Sequence, residues 1–235
     1  MKSLTVACLV AGTLFAPASA VHAQVPMTFK GGINLTNFVG GDAGATEQSS
    51  GLNLGASFGV FRVSRVQIMA EVYYRQKGAT GSLSDLSTFA LAEDGSAPAL
   101  QDIEVGLDYV EIPLLARIDL GGGTGKLFPY LFGGPAFGWK LSCGIAVTGA
   151  AGQPETKCDD LTQNLESTLR SYDLGMVVGA GVDFALPGGV GALNLDARYT
   201  GGLSTIGEGD DALDIRNQAF TVMLGYSVGM PGMGR

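Results

Sequence analysis

The chain has 235 residues, of which 46% are hydrophobic, 15% are charged and 37 are glycine, and its net charge is −8. The charged fraction lies well below the roughly 25% of soluble domains, which disfavours an ordinary soluble protein. The acidic balance disfavours nucleic-acid binding, because that binding needs cations to neutralise phosphates. No apolar run reaches the roughly 20 residues of a membrane helix, so this glycine-rich chain predicts a closed β-barrel as its membrane-spanning structure.

Residues 1–23 have the features of a secretory signal peptide. Lys2 supplies the positive start, and an apolar run extends from Leu4 to Phe15. Val21-His22-Ala23 forms a small-x-small cleavage site before Gln24. We therefore expect residues 1–23 to be removed and residues 24–235 to form one outer-membrane β-barrel domain of a Gram-negative bacterium.

Alternation of apolar and polar residues recurs along the rest of the chain with the period of a β-strand. Within 66–77, for example, Val66, Ile68 and Val72 alternate with Gln67 and Glu71. Segment 127–140 is less regular, because aromatic residues occupy both of its phases. The pattern predicts eight strands, at 29–36, 52–61, 66–77, 110–119, 127–140, 172–184, 193–199 and 220–228.

Short and long connections alternate between these segments. The short ones are 63–65, 120–126 and 186–190, and the long ones are about 38–50, 79–103, 141–170 and 203–214. This alternation is typical of outer-membrane barrels, in which short turns face the periplasm and long loops face outward. The predicted fold class is all-β: an eight-stranded antiparallel up-and-down transmembrane β-barrel with extracellular loops and periplasmic termini.

The four long loops are strongly acidic. Only Lys157 and Arg170 oppose fourteen acids there, which leaves 14 − 2 = 12 net negative charges. Two interpretations stay open: an anionic rim that recruits divalent cations or a basic partner, or a surface that is merely soluble and repels its neighbours. The acids are Asp42, Glu47, Asp85, Glu93, Asp94, Asp102, Glu155, Asp159, Asp160, Glu166, Glu208, Asp210, Asp211 and Asp214.

Among these acids, Glu208, Asp210, Asp211 and Asp214 form the densest group. They suggest a metal site, but they lack the ligand spacing of an EF-hand loop. We therefore predict neither a metal ion nor a cofactor.

Cys143 and Cys158 are the cysteines that remain after the predicted cleavage. An even pair close in sequence predicts a disulfide in an oxidising compartment. The alternative is a metal site, which would need further ligands of the histidine or cysteine type nearby, and the sequence has none there.

The polar phase of the strands carries charges of both signs. An eight-stranded barrel has an interior just wide enough for side chains to fill, so these charges are expected to pair with one another. The predicted network contains Lys30, Glu71, Arg75, Glu111, Arg117, Asp183, Asp196 and Arg198, together with Lys77, Asp119 and Asp173. It would form a plug; the rival interpretation is a narrow polar pore, for which Gly55, Gly59, Gly175, Gly179 and Gly181 would leave room.

Catalytic groups are scarce. The single histidine, His22, lies in the predicted signal peptide, so Ser–His and imidazole–metal chemistry are not expected. No phosphate-binding glycine loop is present. We therefore predict that the protein is not an enzyme, although carboxylate-only chemistry at 208–214 stays a distant alternative.

Several segments resemble the PorT-type outer-membrane β-barrel family. They include 29–36 (FKGGINLT), 71–78 (EVYYRQKG), 109–116 (YVEIPLLA), 129–136 (PYLFGGPA) and 179–183 (GAGVD). The resemblance implies the same eight-stranded fold and membrane, and some members are implicated in protein secretion. The chain departs from the common pattern at its end, where 230–235 (MPGMGR) replaces a terminal aromatic residue, so the signal for the barrel-assembly machinery would be internal, at Tyr226 for instance.

Two functions are compatible with these features. The first is a structural or interaction role: surface binding, adhesion, or an accessory part of protein secretion. The alternative is a small channel or ligand-carrying barrel for small solutes. The expected partners are outer-membrane lipid, the barrel-assembly machinery and a protein at the extracellular loops, with no nucleic acid.

Overall fold

A computed structural model describes residues 27–41, 43, 46–82, 102–121, 125–147, 156–158, 170–207 and 214–228. The predicted signal peptide lies outside the described residues. No helix in the described ranges is long and apolar enough to cross a membrane. The strands are β1 (Met27–Val39), β2 (Glu47–Val63), β3 (Val66–Ser82), β4 (Asp102–Asp119), β5 (Leu127–Val147), β6 (Thr156–Lys157), β7 (Tyr172–Ala185), β8 (Ala192–Gly202) and β9 (Arg216–Val228).

Eight of these strands form one closed barrel. Each long strand pairs antiparallel with the strands next to it in the chain, and β1 pairs with β9 along its whole length, from Met27↔Val228 to Val39↔Arg216. The two-residue strand β6 lies outside the ring and pairs with β5. The predicted eight-stranded antiparallel up-and-down barrel is confirmed.

The two ends of the barrel differ in their connections. At the end that we call the turn end, β2 and β3 are joined by Ser64-Arg65, and β7 and β8 by a short segment that contains the 3-10 turn Pro187–Gly189. Met27 and Val228 also lie at the turn end. The opposite end, which we call the loop end, carries the other four connections. The one between β1 and β2 spans only 40–46, shorter than the predicted 38–50, because β1 continues to Val39 and β2 begins at Glu47.

The outer face of the barrel is an apolar belt. Because side chains alternate between the faces of a strand, β3 buries Glu71, Tyr73 and Arg75 and exposes Val72 and Tyr74. Outward aromatic residues, which are typical of the borders of a membrane-spanning barrel, form two rows. The row near the loop end contains Tyr74, Phe137, Trp139, Tyr172, Tyr199 and Phe220, and the row near the turn end contains Phe29, Phe58, Phe61, Phe184 and Tyr226.

Strand β5 is regular despite the mixed aromatic pattern of its sequence. Tyr130 and Phe132 are buried, at 1% and 4% exposure, whereas Phe137 and Trp139 face outward. The alternation holds as far as Lys140, because 130 and 132 share one parity and 137 and 139 share the other; a bulge at Leu141 then shifts the register against β4. The aromatic residues occupy both phases because the interior of this barrel also takes aromatic rings.

The barrel is taller on one side. Strands β2 to β5 contain 17, 17, 18 and 21 residues, whereas about 9–11 residues suffice to cross a bilayer. The long connections predicted at 79–103 and 141–170 are correspondingly shorter, because β3 continues to Ser82 and β5 to Val147. Beyond the lipid the outer face meets water while the inner face stays buried, so the apolar residues change phase: Val105 and Leu107 point inward, whereas Ile112 and Leu114 face outward. We call the loop-end extension of β2 to β5 the tall wall.

We expect Val178→Arg, near the middle of β7, to lower the free energy of unfolding by about 2–4 kcal/mol, because it places a cation at the centre of the lipid belt. Val178 is 60% exposed. The measurement is a guanidinium titration of the protein in phospholipid vesicles. The matched variant is Val63→Arg at the turn end, which should cost about 0–1 kcal/mol, and equal costs would contradict the assignment of the belt.

Candidate functional site

The barrel interior holds a first group of four charged side chains, Lys30, Glu71, Asp196 and Arg198. Lys30 Nζ lies 2.7 Å from Asp196 Oδ2 and 3.3 Å from Glu71 Oε1. Arg198 binds the same two carboxylates, at 2.6 Å from Glu71 and 3.1 Å from Asp196. Two cations and two anions from β1, β3 and β8 therefore neutralise one another, and their side chains are at most 3% exposed.

A second group lies closer to the loop end and contains Arg75, Lys77, Glu111 and Asp173. Glu111 forms ion pairs with Arg75 at 2.7 Å and with Lys77 at 2.9 Å, and Lys77 also binds Asp173 at 3.0 Å. The Asp173 carboxylate accepts a further hydrogen bond from Asn217 Nδ2 at 2.9 Å. This group again balances two cations with two anions.

A third group closes the interior near the turn end. Arg117 binds Asp183 at 2.6 Å and Asp119 at 2.8 Å. Asn194 Nδ2 donates to Asp183 and to the Tyr130 hydroxyl, both at 2.6 Å. Each residue of the network predicted from the sequence therefore points into the barrel and has an ion-pair partner.

Aromatic rings separate the charged groups. The Arg117 guanidinium lies 3.6 Å from the centroid of the Tyr130 ring, and that of Arg198 lies 4.9 Å from the Phe132 ring and 5.3 Å from the Tyr73 ring. Such contacts stabilise a cation that has left water. The sequence reasoning missed this role, although the aromatic residues in both phases of 127–140 were its signal.

The inward glycines do not leave an open path. A β-carbon added at Gly179 would collide with the Phe132 ring, and one at Gly181 would collide with the Tyr130 ring. A β-carbon at Gly55 would likewise meet the Tyr73 ring. These three glycines make room for aromatic side chains of neighbouring strands. Of the other two predicted to leave room, Gly175 lies next to Thr200 and Gly201, and Gly59 lines a cavity of only about 10 Å³.

The loop end of the interior is apolar. Cys143 and Cys158 are bonded to each other, with Cα atoms 5.4 Å apart, so the chain contains the disulfide that the sequence predicted. Cys158 is fully buried, which anchors β6 against this cluster. The loop-end cluster consists of Phe38, Ala43, Ala79, Val105, Leu107, Tyr109, Cys143, Cys158, Ile206 and Ile215.

The candidate metal ligands cannot be assembled into a site. Glu208, Asp210 and Asp211 lie outside the described residues, and Asp214 forms an exposed ion pair with Arg216 at 2.8 Å. Within the described ranges, no group of three or more His, Cys, Asp or Glu side chains could hold a metal ion.

Comparison with known proteins identifies the family. The model of the outer membrane protein beta-barrel domain family matches residues 22–207, so the chain belongs to this family, and the membrane that its barrel spans is the outer membrane. No functionally curated protein matches the chain.

Solved barrels are similar at low identity. Ail, the attachment invasion locus protein of Yersinia pestis, solved in complex with the heparin analogue sucrose octasulfate, is 12% identical; the alignment covers 86% of this chain and 98% of Ail with a TM-score of 0.42. Neisserial surface protein A is 13% identical over 85% of this chain and 96% of that protein, with a TM-score of 0.43. The N-terminal β-barrel domain of Pseudomonas aeruginosa OprF is 11% identical over 86% and 96%, with a TM-score of 0.36. No conclusion about ligands or partners follows from these similarities.

We expect Arg198→Ala to lower the free energy of unfolding by about 3–5 kcal/mol, because it leaves Glu71 and Asp196 short of a partner in a buried position. Arg216→Ala is the control, since it breaks an ion pair whose side chains are 44% and 47% exposed and should cost at most about 1 kcal/mol. Denaturant titration in vesicles measures both. Equal costs would mean that the interior ion pairs are not required for stability.

Proposed function

We propose that this member of the outer membrane protein beta-barrel domain family has a structural or interaction role at the cell surface: surface binding, adhesion, or an accessory part of protein secretion. The proposal takes the barrel as a rigid support in the outer membrane. Binding would then take place on the tall wall and the loops of the loop end.

The filled interior is the observation that carries this proposal. In the described part of the barrel, ion pairs, aromatic rings and the loop-end cluster occupy the interior apart from a cavity of about 10 Å³ near the turn end, and the charges within each of the first two groups sum to zero. A solute would have to displace paired, buried charges, which costs several kcal/mol for each one left unpaired. The interior therefore favours a plug over a path.

We further propose that the loop end faces the outside and that both termini face the periplasm. The short connections at the turn end fit the usual arrangement of bacterial outer-membrane barrels. The acidic long loops, which mostly lie outside the described residues, would then meet the medium and a protein partner. The proposed orientation agrees with a signal peptide at residues 1–23, which directs the chain across the inner membrane.

Membership in the PorT-type subfamily is also part of the proposal. The segments around 71–78 and 109–116 support it, and they form adjoining parts of β3 and β4. Recognition by the barrel-assembly machinery would use β9, where Tyr226 faces outward and its hydroxyl donates to the Val190 carbonyl.

A catalytic role is not proposed. The sequence has its single histidine at position 22, and both Cys143 and Cys158 are engaged in the disulfide. The buried carboxylates of the interior are bound to cations, which leaves them poorly suited to exchange protons with a substrate.

Single-channel recording of the folded protein in planar bilayers tests the filled interior. We expect traces without steady openings, because the paired charges exclude a continuous water path. Steady, discrete openings whose size changes in Arg117→Ala or Glu111→Ala would contradict the proposal and support a small solute channel. Arg216→Ala is the control, because this residue lies on the outer rim.

Site-specific photo-cross-linking in intact cells tests the interaction role. We expect a cross-linker at exposed Lys157 or Arg216 of the loop end to yield a defined protein adduct, and one at outward Val178 in the lipid belt to yield none. Secretion should be measured in parallel in a deletion strain. Absence of adducts at both loop-end positions, together with unaltered secretion, would contradict the proposal.

A further inference from the structure

Three glycines lie side by side on the tall wall. Gly78 of β3 pairs with Gly106 of β4, and Gly106 pairs with Gly144 of β5. Residues that are opposite one another on neighbouring strands share one face of the sheet. The three positions therefore form a floor without side chains that runs across the strands.

Polar side chains border this floor on both sides. Toward the turn end lie Gln76, Asp108 and Ser142, which are register partners of one another. Toward the loop end lie Glu104 and Ala146, which also pair. A cleft of about 230 Å³ lies between these two rows, with Gly106 of the glycine row on its floor, and the buried residues Thr36, Lys77 and Leu107 line its inner end.

An interruption between β2 and β3 closes one end of the cleft. The register shifts between Gln48 and Asn53, and side chains replace the missing ladder bonds. Gln76 Oε1 accepts from the backbone N–H of Leu52 at 3.0 Å, and the Thr36 hydroxyl donates to the Gly78 carbonyl at 2.8 Å. Ser49, Ser50 and Gly51 thereby lose their pairing with β3 but keep their pairing with β1, and they line the cleft. Irregular pairing of this kind often re-aims side chains next to functional sites.

The cleft lies just beyond the lipid belt. Tyr74 faces outward on β3, two residues before Gln76. Trp139 of β5 lies at the same level as Tyr74, because both residues pair with Val110 of β4. Both aromatic residues belong to the row near the loop end, which marks the border of the hydrocarbon region. The cleft therefore opens at the level of lipid headgroups.

The groups around the cleft suit hydroxyl-rich ligands. The carboxylates of Glu104 and Asp108 accept hydrogen bonds from Ser49 and Ser142, the latter at 2.6 Å, and each carboxylate has a second oxygen that can accept from a ligand hydroxyl. Ser50 and Gln76 add donors and acceptors. Lys77 also lines the cleft, but its ammonium is bound to Glu111 and Asp173.

We propose that this cleft binds a neutral saccharide. Anionic sugars are disfavoured, because two carboxylates face the ligand and the nearby ammonium is already neutralised. A metal ion is disfavoured, because the described residues lack a third acidic ligand. An extended peptide is disfavoured, because the floor strands use their backbone groups in the sheet and the borders offer few apolar contacts.

Calorimetric titration of the full, detergent-solubilised protein tests the proposal with maltotriose and chitotriose as neutral probes and a hyaluronan tetrasaccharide as the anionic probe. We expect saturable binding of at least one neutral probe and none of the anionic one. Asp108→Asn should weaken binding at least about tenfold, because a carboxylate acceptor is lost. Ala146→Trp should abolish binding by filling the cleft.

Glu47→Gln is the matched control, because it neutralises an exposed loop-end carboxylate outside the cleft and should leave binding unchanged. All variants are first required to show the β-sheet circular dichroism of the original chain. The proposal is overturned if neither neutral probe binds, if Asp108→Asn and Ala146→Trp both leave binding unchanged, or if the anionic probe binds more tightly.

Nanodiscs distinguish the two sources of the sugar. If the cleft holds the headgroup sugars of the surrounding membrane, nanodiscs that contain a lipid with a neutral sugar headgroup, such as glucosyl diacylglycerol, should block binding of the free probe, whereas phosphatidylcholine nanodiscs should not. Equal binding in both would identify a free saccharide as the ligand. This inference rests on the proposed surface role only for the source of the sugar. Calorimetry can contradict saccharide binding while silent bilayer recordings and loop-end adducts still support the surface role, so the two failures are distinguishable.

Discussion

The pairing of β1 with β9 joins the first and last strands of the sheet along all thirteen residues of each, and it leaves no strand edge inside the lipid. Hydrocarbon supplies no partner for a backbone N–H or C=O, so an open edge would cost several kcal/mol for each group. Closure with eight strands, in turn, makes the interior so narrow that side chains must fill it. The size of the ring therefore determines what the interior can contain.

Charged residues in such an interior need partners that are already in place. Lys30, Glu71, Asp196 and Arg198 meet this need because three strands bring opposite charges to the same level. Aromatic rings cover the remaining faces of Arg117 and Arg198, and glycines on β7 make room for those rings. This packing agrees with the proposed role of the outer surfaces in binding.

The tall wall shows how the same sheet acquires a second role beyond the membrane. Outside the lipid the strands no longer need an apolar outer face, and Gly78, Gly106 and Gly144 are placed in register without any constraint from hydrocarbon. The pairing between β2 and β3 is interrupted there, and hydrogen bonds of the Thr36 and Gln76 side chains bridge the interruption. The polar cleft that results lies on a support held in place by the barrel below it.

The sequence by itself determined the architecture. Alternation with a period of two residues indicates which side of each strand meets lipid, and the alternation of short and long connections indicates an up-and-down order of strands. It also indicated that Glu71, Arg75, Arg117 and their partners point inward, because the polar side chains of a strand whose other face meets lipid must face the interior of the barrel. It could not predict which cation meets which anion, because that depends on the register between strands that are distant in the chain. Nor could it show that the rings of Tyr130 and Phe132 fill the space next to Gly181 and Gly179. The row of Gly78, Gly106 and Gly144 between the levels of Asp108 and Glu104 was likewise not predictable. Those contacts were decided by tertiary structure alone, because they arise from the stagger and closure of the barrel, and no local stretch of residues encodes either.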